Sequence, residues 1–165
     1  MTPAQTLRTA LKAAGYNARK VTVRDRGGST HYSLLVTIRD ASVSLSKVQA
    51  IAVPHEHVRR DAASGEILLG GNTYLDVEYL DALVEPIKTA FTAQIASAPE
   101  GDDVALGGGF TARKVPARDA TYPDEVAIGG PGFDPDRRNI ACTVPYAAKR
   151  LAIAYLDAQA QGTAA

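Results

Sequence analysis

The chain has 165 residues, long enough to bury a core of its own as one domain or two small lobes. Hydrophobic residues make up 45% and charged residues 22%, which argues against a disordered chain. Eighteen Lys/Arg balance eighteen Asp/Glu, there is no Trp, and Cys142 stands alone; these totals exclude an internal disulfide and a cysteine-based zinc site.

The first helix is signalled by Thr2 as a cap, Pro3 at the first helical position and Gln5 three residues after the cap. Leu7, Ala10, Leu11 and Ala14 then share one face, and Gly15 supplies the stop. A strand follows over about Arg19 to Arg24, with Val21 and Val23 on one side and Lys20, Thr22 and Arg24 on the other. The loop Arg26-Gly27-Gly28-Ser29 leads to a second strand, Tyr32 to Arg39, with Leu34, Val36 and Ile38 on its apolar side. The two strands are expected to pair as an antiparallel hairpin on the first helix. A short helix, Leu45 to Val53, ends at Pro54. Short strands at Val58 to Asp61 and Glu66 to Leu69 are expected around the turn Ala62-Ala63-Ser64-Gly65, and a longer one at Thr73 to Tyr79. A helix then runs to about Ser97, with Pro86 expected in its first turn and Ile87, Ala90, Phe91 and Ile95 inward. Pro99 to Gly109 reads as a Gly-rich linker. Beyond it come strands near Thr111 to Ala117, Glu125 to Ile128 and Asn139 to Val144, then a helix over about Pro145 to Ala160.

The expected architecture is α+β: antiparallel sheets with helices packed on one face, divided as a lobe over 1–98, the linker 99–109 and a smaller lobe over 110–165. An internal repeat supports two similar lobes. Gly15-Tyr16-Asn17-Ala18-Arg19-Lys20-Val21-Thr22-Val23-Arg24-Asp25 recurs as Gly109-Phe110-Thr111-Ala112-Arg113-Lys114-Val115-Pro116-Ala117-Arg118-Asp119, with seven of eleven positions identical. Two copies are too few for a solenoid and point to a partial duplication.

The zero net charge conceals a division. Residues 1–60 carry ten Lys/Arg against three Asp/Glu (+7), residues 61–105 one against nine (−8), and the remainder seven against six (+1). Such blocks make either a dipolar surface for a partner or two faces that neutralise each other within the fold.

Catalytic signals are sparse. His55-Glu56-His57 with Asp61 nearby is the one metal-like cluster, but the spacing is not the i, i+4 of a helical zinc motif and no further ligand is evident. Cys142 sits in an apolar strand with no histidine near in sequence, which marks a buried, inert thiol. Neither Gly70-Gly71-Asn72 nor Gly129-Gly130-Pro131-Gly132 opens a helix as a phosphate loop would. Asp76 and Glu78 share a strand face, which alone does not make a carboxylate pair. The reading is therefore a non-enzyme with no cofactor and no metal. Binding falls to the basic strand faces: Arg19, Lys20, Arg24, Arg26 and Arg39 from the first copy of the repeat and its hairpin, Lys114 and Arg118 from the second. With Tyr16, His31 and Tyr32 alongside, these cations suit either an acidic protein surface or a nucleic-acid backbone. Met1-Thr2-Pro3-Ala4-Gln5 lacks the pattern of a signal peptide, and no apolar run approaches the roughly 20 residues of a membrane helix. A cytoplasmic protein with no membrane contact is expected.

Leu7-Arg8, Leu11-Lys12, Gly15-Tyr16-Asn17-Ala18-Arg19-Lys20-Val21, Val23-Arg24, Val36-Thr37-Ile38-Arg39, Gly65-Glu66-Ile67-Leu68 and Gly70-Gly71-Asn72-Thr73-Tyr74 together resemble the large polyvalent protein-associated domains. The resemblance covers about the first 95 residues, and no catalytic signature takes part in it. Those domains are accessory parts of phage and conjugative-plasmid proteins. The resemblance implies a mobile genetic element as the setting and, for a small chain without a catalytic site, stoichiometric inhibition of a host defence complex of the anti-CRISPR or anti-restriction type. The implied partner is a protein, as part of a nucleic-acid-handling complex; direct nucleic-acid binding is the alternative.

Overall fold

The computed structural model describes residues 1–28, 30–116, 125–134, 139–141 and 143–162. The chain is α+β and divides into two compact units, Met1–Leu80 and Asp81–Ala165.

In the first unit, α1 (Pro3–Ala13) forms where the local signals coincide. The Thr2 hydroxyl accepts the Gln5 N–H, and the Gln5 side chain accepts the Thr2 N–H, so two orphan donors of the first turn are satisfied reciprocally. At the other end the Tyr16 N–H reaches the Leu11 carbonyl and the Gly15 N–H that of Lys12, a Schellman closure that needs Gly15 at its φ of +90°. The buried stripe is Ala4, Leu7 and Leu11; Ala10 is half-buried and Ala14 exposed.

Strands β1 (Val21–Asp25) and β2 (His31–Ile38) pair antiparallel, from Val21 opposite Ile38 to Asp25 opposite Leu34, as the hairpin expectation required. Val21 and Val23 are buried with Leu34, Val36 and Ile38 on the face that carries the helices. The next strand, β3 (Asn72–Tyr79), departs from the expected antiparallel sheet: it runs parallel to β2 along all eight residues, His31 opposite Asn72 through Ile38 opposite Tyr79. The reason is the connection. Helix α2 (Leu45–Ala52) lies between the two strands as a crossover, which parallel pairing requires. The order β1-β2-β3 makes β2 central, in keeping with the burial of Leu34, Leu35, Val36 and Ile38. The short strands expected at 58–61 and 66–69 reduce to one bridge, Arg60 with Ile67, around a turn held by Asp61.

The second unit begins with α3 (Asp81–Ser97), which packs on α4 (Val144–Gln161), so residues 81–97 do not belong to the first lobe as expected. Because α3 starts at Asp81, Pro86 lies inside it, in the second turn, where no N–H is offered to the Ala82 carbonyl. The expected linker 99–109 contains a strand, β4 (Asp103–Gly107), which turns through Gly108-Gly109 into β5 (Phe110–Lys114). Both turn glycines have positive φ, as a two-residue type I′ hairpin demands, so a composition that suits a linker here builds a tight turn. Strands β6 (Val126–Gly129) and β7 (Ile140–Ala141) complete an antiparallel sheet in the order β4-β5-β6-β7. Phe110, fully buried, meets Tyr155 of α4 at 5.9 Å between ring centroids, and Tyr155 meets Phe91 of α3 at 5.7 Å, both edge to face.

The structure does not bear out the duplication. In the first copy of the repeat, residues 16–20 lie outside any strand, with a turn at 18–20, and the strand begins at Val21; in the second, the equivalents Phe110–Lys114 are themselves the strand. β1 is an edge strand and β5 an internal one. One substitution inside the motif accounts for the local difference. The Asn17 side chain accepts the N–H groups of Arg19 and Lys20, an Asx turn, whereas its counterpart Thr111 stays extended opposite Gly129 and Ala105.

Candidate functional site

The basic residues of the first unit are placed by the parity of its hairpin. The Arg39 N–H donates to the Lys20 carbonyl at 2.7 Å, extending the register, so Lys20, Thr22 and Arg24 share with Thr37 and Arg39 the sheet face opposite the helices. Arg19 lies in the turn before β1, and Arg26 just after β1. Arg19, Arg24, Arg26 and Arg39 are all exposed, and among the described residues none of the four is ion-paired. Lys20 differs: its Nζ is 3.3 Å from an Asp40 carboxylate oxygen. That carboxyl lies below the ordinary Asp range chiefly because the Ser42 N–H bonds it, with the Ser42 hydroxyl and Lys20 adding to the effect.

The same face is not uniformly positive. Arg24 lies opposite Leu35, which lies opposite Asp76 on β3; Thr22 and Thr37 lead in the same way to Glu78. Cations therefore occupy one side of the face and carboxylates the other. The charge blocks of the sequence are also tempered within the unit, because the acidic residues of β3 and the preceding turn fold back into it. Residues 1–80 hold ten Lys/Arg against seven Asp/Glu, a net of +3.

The second copy of the repeat contributes differently from its expected role. Lys114 faces inward with Ala112 and Val126, and its Nζ donates to the Ala96 carbonyl at 3.1 Å, in the last turn of α3. A cation there satisfies an end carbonyl and complements the helix dipole. Arg118 lies outside the described residues, as does Cys142.

The histidine cluster does not converge. His55 lies in a 3-10 turn, while His57 is held by backbone bonds to Thr73. Asp61 is turned to its own loop, where the N–H of Ser64, then that of Ala63 and the Ser64 hydroxyl, donate to it and hold its carboxyl below the usual range. Among the described residues no three His, Cys, Asp or Glu side chains come together as a metal site. No described helix is long and apolar enough to cross a membrane.

Two features had no sequence signal. One is a groove of about 340 Å³ between α1 and β1, with Arg8 and Lys12 at its rim. The helix was expected on the hairpin, but that β1 is the edge strand and leaves this side open is not revealed by periodicity. The other is the exposure of Ile67-Leu68-Leu69, in the segment expected as a short strand over Glu66 to Leu69; of the three only Ile67 takes part in a bridge, and Leu69 is almost wholly exposed. Comparison with known proteins yields no family model, curated protein or solved structure that matches this chain.

Proposed function

We propose that this chain is a non-catalytic binding protein of a mobile genetic element, acting as a stoichiometric inhibitor by occupying a protein surface of a host nucleic-acid-handling defence complex. The observation that carries the binding reading is the set of four exposed arginines, Arg19, Arg24, Arg26 and Arg39, without an ion-pair partner among the described residues. Unpaired surface guanidiniums are available to a partner's carboxylates and steer association with a negative surface. The counter-defence setting rests on the resemblance of the first 95 residues alone. Asp76 and Glu78, across the sheet from Arg24, favour a protein partner over a nucleic acid: a mixed face suits a mixed surface, whereas a polyanion is repelled by half of it.

The test is capture from host lysate before and after nuclease digestion, with wild-type protein and with Arg24→Glu/Arg39→Glu. The wild type should retain a nucleic-acid-handling complex in both conditions, and the double reversal should lose it while its unfolding midpoint stays unchanged. Equal capture by the reversed protein sinks the reading. Capture abolished by nuclease, with a log-log salt slope of about 0.7–0.9 per phosphate neutralised, transfers it to direct nucleic-acid binding.

A further inference from the structure

We infer that the groove between α1 and β1 binds a short acidic segment of a partner protein through one apolar anchor side chain. The inference deepens the binding reading above and rests on it.

The groove has a built floor and a charged rim. Its floor is Leu11 of α1 with Val21 and Val23 of β1, all buried, and Tyr16 stands at the side. The volume of about 340 Å³ falls at the lower end of ligand-site volumes, room for one or two side chains. β1 is the edge of its sheet, so among the described residues no further strand closes this side. The rim cations Arg8 and Lys12 are one turn apart on α1, and among the described residues none in the lining is acidic. The nearest carboxylate in sequence, Asp25, is committed to its loop, where it accepts the N–H groups of Gly27 and Ser33. Arg8 is already positioned. One of its terminal nitrogens donates to the Val23 carbonyl at 2.6 Å, which points outward because the even-numbered residues of β1 make the bonds to β2. A guanidinium has five N–H donors, so this bond orients the group and leaves others for a carboxylate.

These features select the ligand. An aliphatic floor takes an aliphatic or aromatic side chain, and two cations without a counter-charge take carboxylates on either side of it. A nucleic-acid strand would need a row of stacking platforms, and among the described residues Tyr16 is the one aromatic ring in the lining. The occupant is therefore an extended protein segment with one apolar residue between acidic ones.

The test uses the full chain and fluorescence polarisation. The probe is a labelled peptide with one phenylalanine between two pairs of aspartates; its control has asparagine in place of each aspartate. Ala18, exposed on the groove wall, is changed to Trp to fill the space, and Lys12, exposed at the rim, is changed to Glu. The acidic peptide should bind, the asparagine peptide at least tenfold more weakly, and Ala18→Trp and Lys12→Glu should each weaken binding at least tenfold with an unchanged unfolding midpoint. Should Ala18→Trp destabilise the fold, Lys12→Glu and the control peptide still decide. The inference is overturned by absence of peptide binding, by equal binding of the asparagine peptide, or by peptide binding that neither substitution alters. A single-stranded oligonucleotide that binds where the peptide does not, loses affinity in Lys12→Glu and keeps it in Ala18→Trp also overturns it. Loss of this inference with lysate capture intact leaves the binding reading standing; loss of lysate capture removes both.

Discussion

Tyr79→Phe removes one oxygen from the interior of the first unit and nothing else. Tyr79 is the last residue of β3 and is 2% exposed. Its hydroxyl donates to the Val43 carbonyl at 3.0 Å and accepts the Leu45 N–H at 3.2 Å. Leu45 is the first residue of α2, so that N–H is one of the orphan donors every helix must place. The side chain thus fastens the start of the crossover helix to the strand that the crossover delivers. Phenylalanine keeps the ring and its packing but strands both backbone groups. At about 1 kcal/mol for each hydrogen bond, the substitution should cost about 2 kcal/mol, within a range of about 1–3. Equilibrium urea unfolding measures it. With a denaturant slope of about 2 kcal/mol/M, the midpoint should fall by about 1 M and the slope should not change. A shift below about 0.3 M at constant slope would refute the argument that this hydroxyl anchors α2.

Gly130→Ala should destabilise by more than about 2 kcal/mol in the same assay, because φ there is +130° and a Cβ would lie 2.7 Å from Phe110 Cδ1 and 2.9 Å from its Cα; a fold of wild-type stability would contradict this packing. Asn17→Thr imports the residue of the second copy of the repeat and should cost about 0.5–1.5 kcal/mol through the lost Asx bonds to Arg19 and Lys20. No loss would mean that Asn17 does not decide how the motif folds. The carboxyls of Asp40 and Asp61 are held below their unfolded value of about 3.9 by the N–H and hydroxyl donors around them. Their contribution is therefore present above that value and is lost as the pH falls through the lower folded values. Stability measured by urea unfolding should decline below about pH 4, and Asp40→Asn/Asp61→Asn, which keeps an acceptor at each position but cannot titrate, should flatten that decline. An unchanged acid limb in the double variant would assign it to other carboxylates.

The two ends of helix α1 were legible because each of their determinants lies within five residues of its partner: Thr2 with Gln5 at the start, Leu11 with Tyr16 at the end. The hairpin of β1 and β2 was legible for a related reason, since period-two alternation assigns Val21, Val23, Leu34, Val36 and Ile38 to one face before any partner is known. That same parity placed Arg24 and Arg39 on the opposite face, and the structure agrees. What alternation cannot state is which strand lies beside which. Nothing in Asn72–Tyr79 distinguishes a parallel from an antiparallel neighbour; the α2 crossover and the burial of β2 on both faces do. Composition likewise does not separate a linker from a hairpin, because Gly107-Gly108-Gly109 permits both and only pairing along Asp103–Gly107 chooses. The repeat shows the limit most directly: similar residues form a turn and an edge strand over 18–25 but an internal strand over Phe110–Lys114. The division after Leu80, the inward placement of Lys114 and the groove beside Arg8 were set at the same level. Local hydrogen bonds and hydrophobic periodicity operate over a few residues and are written in the sequence. The choice of neighbours is made by apolar surface from distant segments competing for burial, and it exists only in the folded chain.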